Sequence, residues 1–151
     1  MGDFDFLVGR WTVANRKLTK RLAGCTEWAE FTSTSSCWNL FGGAANLDEF
    51  SFPDGTAGLT LRLRNPATGE WSLTWASSEL GALMLPVVGG FDGGEGRFYG
   101  AEEYAGRLVR VRYIWSRITP TSARWEQAYS DDGERTWETN WIMDFTRVPD
   151  S

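Results

Sequence analysis

Turn-forming residues punctuate this 151-residue chain about every ten positions, and the runs between them alternate polar with apolar side chains. The clearest turns are Leu22-Ala23-Gly24, Phe41-Gly42-Gly43, Pro53-Asp54-Gly55, Asn65-Pro66-Ala67-Thr68-Gly69, Asp92-Gly93-Gly94, Ala105-Gly106, Thr119-Pro120 and Asp131-Asp132-Gly133. About ten strands are predicted, near 9–20, 26–38, 44–52, 57–65, 70–77, 84–91, 96–104, 107–118, 122–130 and 137–148. A helical period is visible only weakly, from Ser77 to Met84, and one helical turn is expected around Asp3 to Val8. Short strands joined by short loops leave two exposed edges unless the sheet closes on itself. The expected fold is therefore all-β: an up-and-down antiparallel β-barrel of about ten strands, preceded by a short N-terminal helical turn. Nothing suggests a second domain, so residues 1–151 are read as one.

Nine tryptophans stand in the chain and not one histidine. The first count points to an aromatic-lined interior, each buried aromatic ring removing roughly 150–250 Å² from water. The second removes the commonest acid/base group, the commonest metal ligand and the usual haem ligand. Ser-His-Asp and Cys-His catalysis are excluded by composition, and we expect neither metal nor cofactor. No glycine-rich loop leads from a strand into a helix, which excludes the usual phosphate cradles.

The net charge of −5 argues against nucleic acid as a partner. The basic cluster Arg16-Lys17 with Lys20-Arg21 is read as the solvated end of the first strand. No apolar run reaches the roughly 18 residues of a membrane helix, so no membrane association is expected. The start, Met1 to Phe6, lacks the features of a signal peptide, and Phe6 stands where a myristoylation signal wants Ser or Thr. A cytoplasmic location is the expectation. Cys25 and Cys37 bracket one predicted strand, which would part them by roughly 40 Å, so both are expected to be free.

Alternate positions share a face, and the apolar set defines the expected interior. That set holds Trp11, Val13 and Asn15; Trp28, Glu30 and Thr32; Leu47 and Glu49; Leu59, Leu61 and Leu63; and Trp71, Leu73 and Trp75. It continues with Val109, Val111, Tyr113 and Trp115; Trp125, Gln127 and Tyr129; and Trp137, Thr139, Trp141 and Met143. Arg16, Thr60, Arg62, Arg112, Arg124 and Glu126 fall on the opposite face, although a β-bulge would flip the phase and turn Arg16, Arg62, Arg112, Glu126 or Glu138 inward. Asn15, Glu30, Glu49, Gln127 and Thr139 interrupt the apolar wall. A few polar groups converging in an apolar cavity describe a small-molecule site.

The opening Phe4 to Val13, the strand Asp48-Glu49-Phe50, the run Gly69 to Trp75 and the closing Trp137 to Trp141 resemble calycin-like bacterial proteins. In particular they resemble a lipocalin-like family of uncharacterised function, DUF1579. The resemblance implies a lipocalin-like barrel in which Gly9 and Trp11, as a Gly-x-Trp motif, close one end. It implies no reaction. The related nitrobindins bind haem through a histidine that this chain lacks. Ser130 to Trp137 is also similar to the Asp-box of sialidase-type propellers, which implies a structural hairpin with Asp132 bonding turn amides and Trp137 packed beneath.

Three functional readings follow, one of them an interaction module with Leu80 to Phe91 as its sticky surface. In the first, the protein binds a small hydrophobic or aromatic ligand through Asn15, Trp28, Trp75, Trp115, Trp125, Gln127, Tyr129, Thr139 and Trp141. In the alternative it is a cofactor-free cyclase, isomerase or dehydratase, with Glu30 or Glu49 as general acid/base and Tyr113 as hydrogen-bond donor. The apolar segment Leu80 to Phe91, flanked by glycine, is read as either a lid or the interface of a homodimer.

Overall fold

The computed structural model describes residues 2–149. The predicted turns fall where the chain reverses, giving strands β1 (Gly9–Leu18), β2 (Trp28–Leu40), β3 (Ala45–Ser51), β4 (Ala57–Arg64), β5 (Trp71–Ser77) and β6 (Ala82–Leu83). They continue with β7 (Val87–Asp92), β8 (Glu95–Tyr104), β9 (Arg107–Ser116), β10 (Ser122–Ser130) and β11 (Glu138–Arg147). Every pairing is antiparallel, and β1 against β11 together with β4 against β5 close the sheet into a ring of ten strands. The two-residue β6 lies on the same edge of β5 as β7, so β6 and β7 are one wall strand interrupted at Met84–Pro86. Ring closure leaves no free edge to pair with another chain. The expected N-terminal turn is a 3-10 turn, Asp5–Leu7. Phe41–Gly43 forms a second one, and residues 78–81 form turns rather than a helix.

One end of the ring is plugged by aromatic packing. The turn drops Phe4 and Leu7 into the barrel, where the Phe4 ring meets Trp71 at 5.0 Å and Phe91 at 5.1 Å, both edge-on. Trp11 donates from its indole to the Leu7 carbonyl at 2.8 Å, and the Arg147 guanidinium lies 4.2 Å above its ring. Arg147 also donates to the carbonyls of Phe6 and Val8. Gly9 has φ 123°, and a Cβ there would stand 2.6 Å from Arg147 Nη1, so glycine alone admits this arginine.

Cross-strand partners share a face, and the observed pairs correct the expected interior on three strands. Val13 lies opposite Ser33, Cys37 opposite Asp48, and Asp48 opposite Thr60. The inward positions are therefore Phe31, Ser33, Ser35 and Cys37 on β2, Asn46, Asp48 and Phe50 on β3, and Gly58, Thr60 and Arg62 on β4. Trp28, Glu30, Thr32, Leu47, Glu49, Leu59, Leu61 and Leu63 face outward. The physical reason is that this third of the barrel has a polar interior. Arg62 donates to Asp48 at 2.6 Å and to Asn46 Oδ1 at 2.7 Å, with the Cys37 thiol on the same Asn46 oxygen at 3.2 Å. Burial lifts that thiol's pKa to about 11, so it stays protonated and donates. Both members of the ion pair are at most 3% exposed.

The last strand changes phase at a bulge. Gln127 pairs with Trp141 but Ala128 pairs with Thr139, leaving Asn140 extra. Asn140, fully buried, accepts from Gln127 at 2.9 Å. Below the bulge Thr139 shares the outer face with Ala128, while Glu138 comes opposite Tyr129 and turns inward. Trp137, expected inside, lies on the outer wall against Tyr99 and beneath the Arg112 guanidinium at 4.6 Å. The Asp-box-like turn is built as its resemblance implies, with Asp132 Oδ1 accepting from the amides of Arg135 and Thr136.

Removing one partner of a buried ion pair strands the other charge, at a cost of about 3–5 kcal/mol, whereas replacing both with apolar groups is often neutral. Asp48→Ala should therefore lower stability by about that amount in urea unfolding, and Asp48→Leu combined with Arg62→Met should restore most of it.

Candidate functional site

A cavity of about 300 Å³ occupies the barrel above the plug. Its inner end is set by Arg62, whose guanidinium lies 5.0 Å from the Phe4 ring and 5.8 Å from Trp115, with Thr60 beside it on β4. Its wall is aromatic: Phe50, Phe52, Trp75, Tyr113, Trp125 and Trp141, with Leu73 and Met143 between. These rings brace one another. Trp125 meets Trp141 edge-on at 5.4 Å and Tyr113 at 5.0 Å, while Phe50 stacks on Phe52 at 6.1 Å and meets Trp75 at 6.0 Å. Rings interlocked in this way hold their rotamers, so the cavity is preformed rather than assembled around a ligand.

The other end opens beneath the loops at 19–27, 52–56 and 78–86, where Lys17, Arg21, Glu79, Leu80, Met84 and Glu102 complete the lining. The loop after β1 folds over this mouth and is tied there by hydrogen bonds. Arg21 donates to the Tyr129 hydroxyl at 2.7 Å, its backbone amide donates to Tyr104, and the Leu22 amide donates to Glu138 at 2.6 Å. Tyr129 in turn donates to Glu102, making a chain from guanidinium through phenol to carboxylate. Burial raises the Glu102 pKa above the usual glutamate value, against the pull of Arg21 and Lys17. Burial, and then the Glu102 charge, raise that of Tyr113, so its phenol remains a donor at any physiological pH. Burial, and then repulsion from Arg21, lower the pKa of Lys17, whose ammonium lies 4.2 Å above the Trp141 ring.

Of the ligand-binding residues expected from the sequence, Trp75, Trp115, Trp125, Gln127 and Trp141 line this cavity, as does Tyr113. Asn15 and Tyr129 stand just behind the lining. Asn15 accepts from the Trp141 indole at 2.9 Å and donates to Ser33, which fixes the orientation of that ring. Trp28 and Thr139 lie on the outer wall, Trp28 under the Arg16 guanidinium at 5.8 Å. Glu30 and Glu49 are exposed on the outer wall too, so neither carboxylate reaches the cavity. The inward glutamates are Glu102 and Glu138. Lys17 was within reach of the sequence, since it continues the inward phase of Trp11, Val13 and Asn15. Phe50 and Phe52 shared a phase that the outward leucines of β3 and β4 concealed. Nothing local marked Glu102.

The Leu80–Phe91 segment divides its roles. Leu80 and Met84 line the cavity, Val87 is buried, and Leu83 and Leu85 are exposed on the outside. Among the described residues no three His, Cys, Asp or Glu side chains cluster as metal ligands, and no helix is long and apolar enough to cross a membrane.

No protein-family model and no curated protein matches this sequence, which leaves membership of DUF1579 without support. Among solved structures the chain is similar to the S-type phycobiliprotein lyase CPES from Guillardia theta, with a TM-score of 0.59 at 10% identity, over 98% of this chain and 92% of that one. The likeness is one of fold: a lipocalin-like barrel.

Proposed function

We propose that this protein binds a small hydrophobic or aromatic molecule inside its barrel. The observation that carries the reading is the preformed cavity, closed by an aromatic plug at one end and reached at the other through a polar mouth. A ligand of matching shape would gain dispersion contacts along the apolar lining. The tryptophans would offer their faces to the ligand body, and Gln127, Tyr113 and Thr60 would offer hydrogen bonds to polar substituents. That a phycobiliprotein lyase shares the fold supports a small-molecule role and makes a bilin-like chromophore one compound worth trying.

A second reading, a cofactor-free enzyme working in the same cavity, draws support from Glu102. It is a carboxyl group with a raised pKa, facing the lining and hydrogen-bonded by Tyr129. In that reading it takes the acid/base role that Glu30 and Glu49 are too exposed to fill, with Tyr113 as donor.

Three outcomes test these readings. Apolar and aromatic compounds should quench or shift tryptophan emission in a saturable way, since Trp75, Trp125 and Trp141 all line the cavity. Gly58→Ala should weaken that binding by about tenfold while the barrel stays folded. A Cβ at Gly58 would sit 2.1 Å from the Trp75 ring and must push it out of place. The third concerns Glu102. Because its folded pKa lies above the unfolded value of about 4.3, the native state binds more protons across that window, and stability falls as pH rises through it. Glu102→Gln should flatten this slope in melting curves taken from pH ~4 to pH ~7. An unchanged slope would show that Glu102 is not the perturbed carboxyl.

A further inference from the structure

Three cationic side chains line the cavity, Lys17, Arg21 and Arg62, and two of them are engaged by partners. Arg62 is paired with Asp48 at 2.6 Å, and its other terminal nitrogen donates to Asn46. Arg21 is joined to Glu102 through the Tyr129 hydroxyl. Lys17, half-buried, has neither an ion-pair partner nor a hydrogen-bond acceptor among the described residues. Its ammonium rests on the face of Trp141, and the carboxylates of Glu79, Glu102 and Asp54 reach it only through space. The residue also borders both the inner cavity and an adjoining recess of about 380 Å³, where Phe31, Phe52, Trp75 and Trp141 form the apolar wall and Asp54 and Glu79 the rim. Folding thus places one partly desolvated, unpaired cation where the aromatic cavity opens.

We infer that the ligand is an organic acid carrying a single carboxylate, which pairs with Lys17 while its apolar body lies among Phe52, Trp75, Trp125 and Trp141. This deepens the proposed function and rests on it. A carboxylate suits Lys17 because it is the one cation of the lining with no ion-pair or hydrogen-bond partner among the described residues. A phosphate monoester would bring up to two charges against one ammonium and require more donors than Lys17 supplies. The pair would gain more than an exposed one, because part of the ammonium's desolvation is already imposed by the fold, and a charge-assisted hydrogen bond is stronger where water is excluded.

The test compares two probes of matched shape, 2-naphthoate and 2-naphthalenemethanol, by titration calorimetry on the full chain near neutral pH. The wild type should bind the acid about tenfold more tightly than the alcohol. Lys17→Met, which keeps an unbranched stem over Trp141, should remove that preference by weakening the acid and leaving the alcohol within about twofold, whereas Lys17→Arg should preserve it. The inference is overturned if the wild type takes the alcohol as tightly as the acid, or if Lys17→Met weakens both alike. Either result leaves the cavity itself as a binding site. Uptake of neither probe overturns the binding reading and the inference together. Should Lys17→Met fail to fold by near-ultraviolet circular dichroism, the ratio of the two probes on the wild type and Lys17→Arg decides.

Discussion

The buried pair of Arg62 and Asp48 organises the lower half of this barrel. An ionised guanidinium in an aromatic interior is tolerable only with its charge matched. Asp48 and Asn46 supply that match from β3, and Cys37 joins from β2. Satisfying the arginine fixes which face of β2, β3 and β4 looks inward, because pairing in register carries the choice from strand to strand. It also sets the inner limit of the cavity, since the same guanidinium lies between the Phe4 plug and Trp115. Plug, strand phase and cavity floor are thus consequences of one polar cluster.

Strand positions and ring closure were legible in the sequence because turn chemistry is local. Asp92-Gly93-Gly94 and Asp131-Asp132-Gly133 specify reversals wherever they occur, and unpaired edges forbid an open sheet. Sidedness was legible only where the wall is apolar, as in Trp71-Leu73-Trp75 and in Val109-Val111-Tyr113-Trp115. On β3 and β4 the rule that leucines face inward fails: Leu59 and Leu63 are exposed while Arg62 is buried. No hydropathy pattern distinguishes that case, since the deciding fact is a partner on another strand. Thr139 and Glu138 exchanged faces for a similar reason. A single extra residue, Asn140, is accommodated by its bond to Gln127, and that bond exists only in three dimensions.

The two ends of the barrel solve different problems with the same residue types. At the plugged end arginine works by enclosure, with Arg147 capping Trp11 and tying down the carbonyls of Phe6 and Val8. At the open end it works by tethering, with Arg21 drawing the loop after β1 onto Tyr129. The tether is made of side-chain hydrogen bonds at the margin of water rather than of interdigitated rings. Local opening should therefore cost less there than at the plug.

Rings that brace one another give the cavity a fixed shape, and at its floor the Arg62 charge is matched by Asp48 while that of Lys17 at the mouth is not. Trp141 connects the two properties here. Its indole N–H is held by Asn15, its edge supports Trp125, and its face carries the Lys17 ammonium. Displacing this ring would break a hydrogen bond and unseat a cation at once, so the ring is held in place. The polar groups of the lining are thereby concentrated toward the mouth, with Lys17 and Glu102, and at the floor, where Arg62 is already occupied by Asp48. An elongated molecule polar at one end and apolar at the other fits that division, and a compact polar one does not.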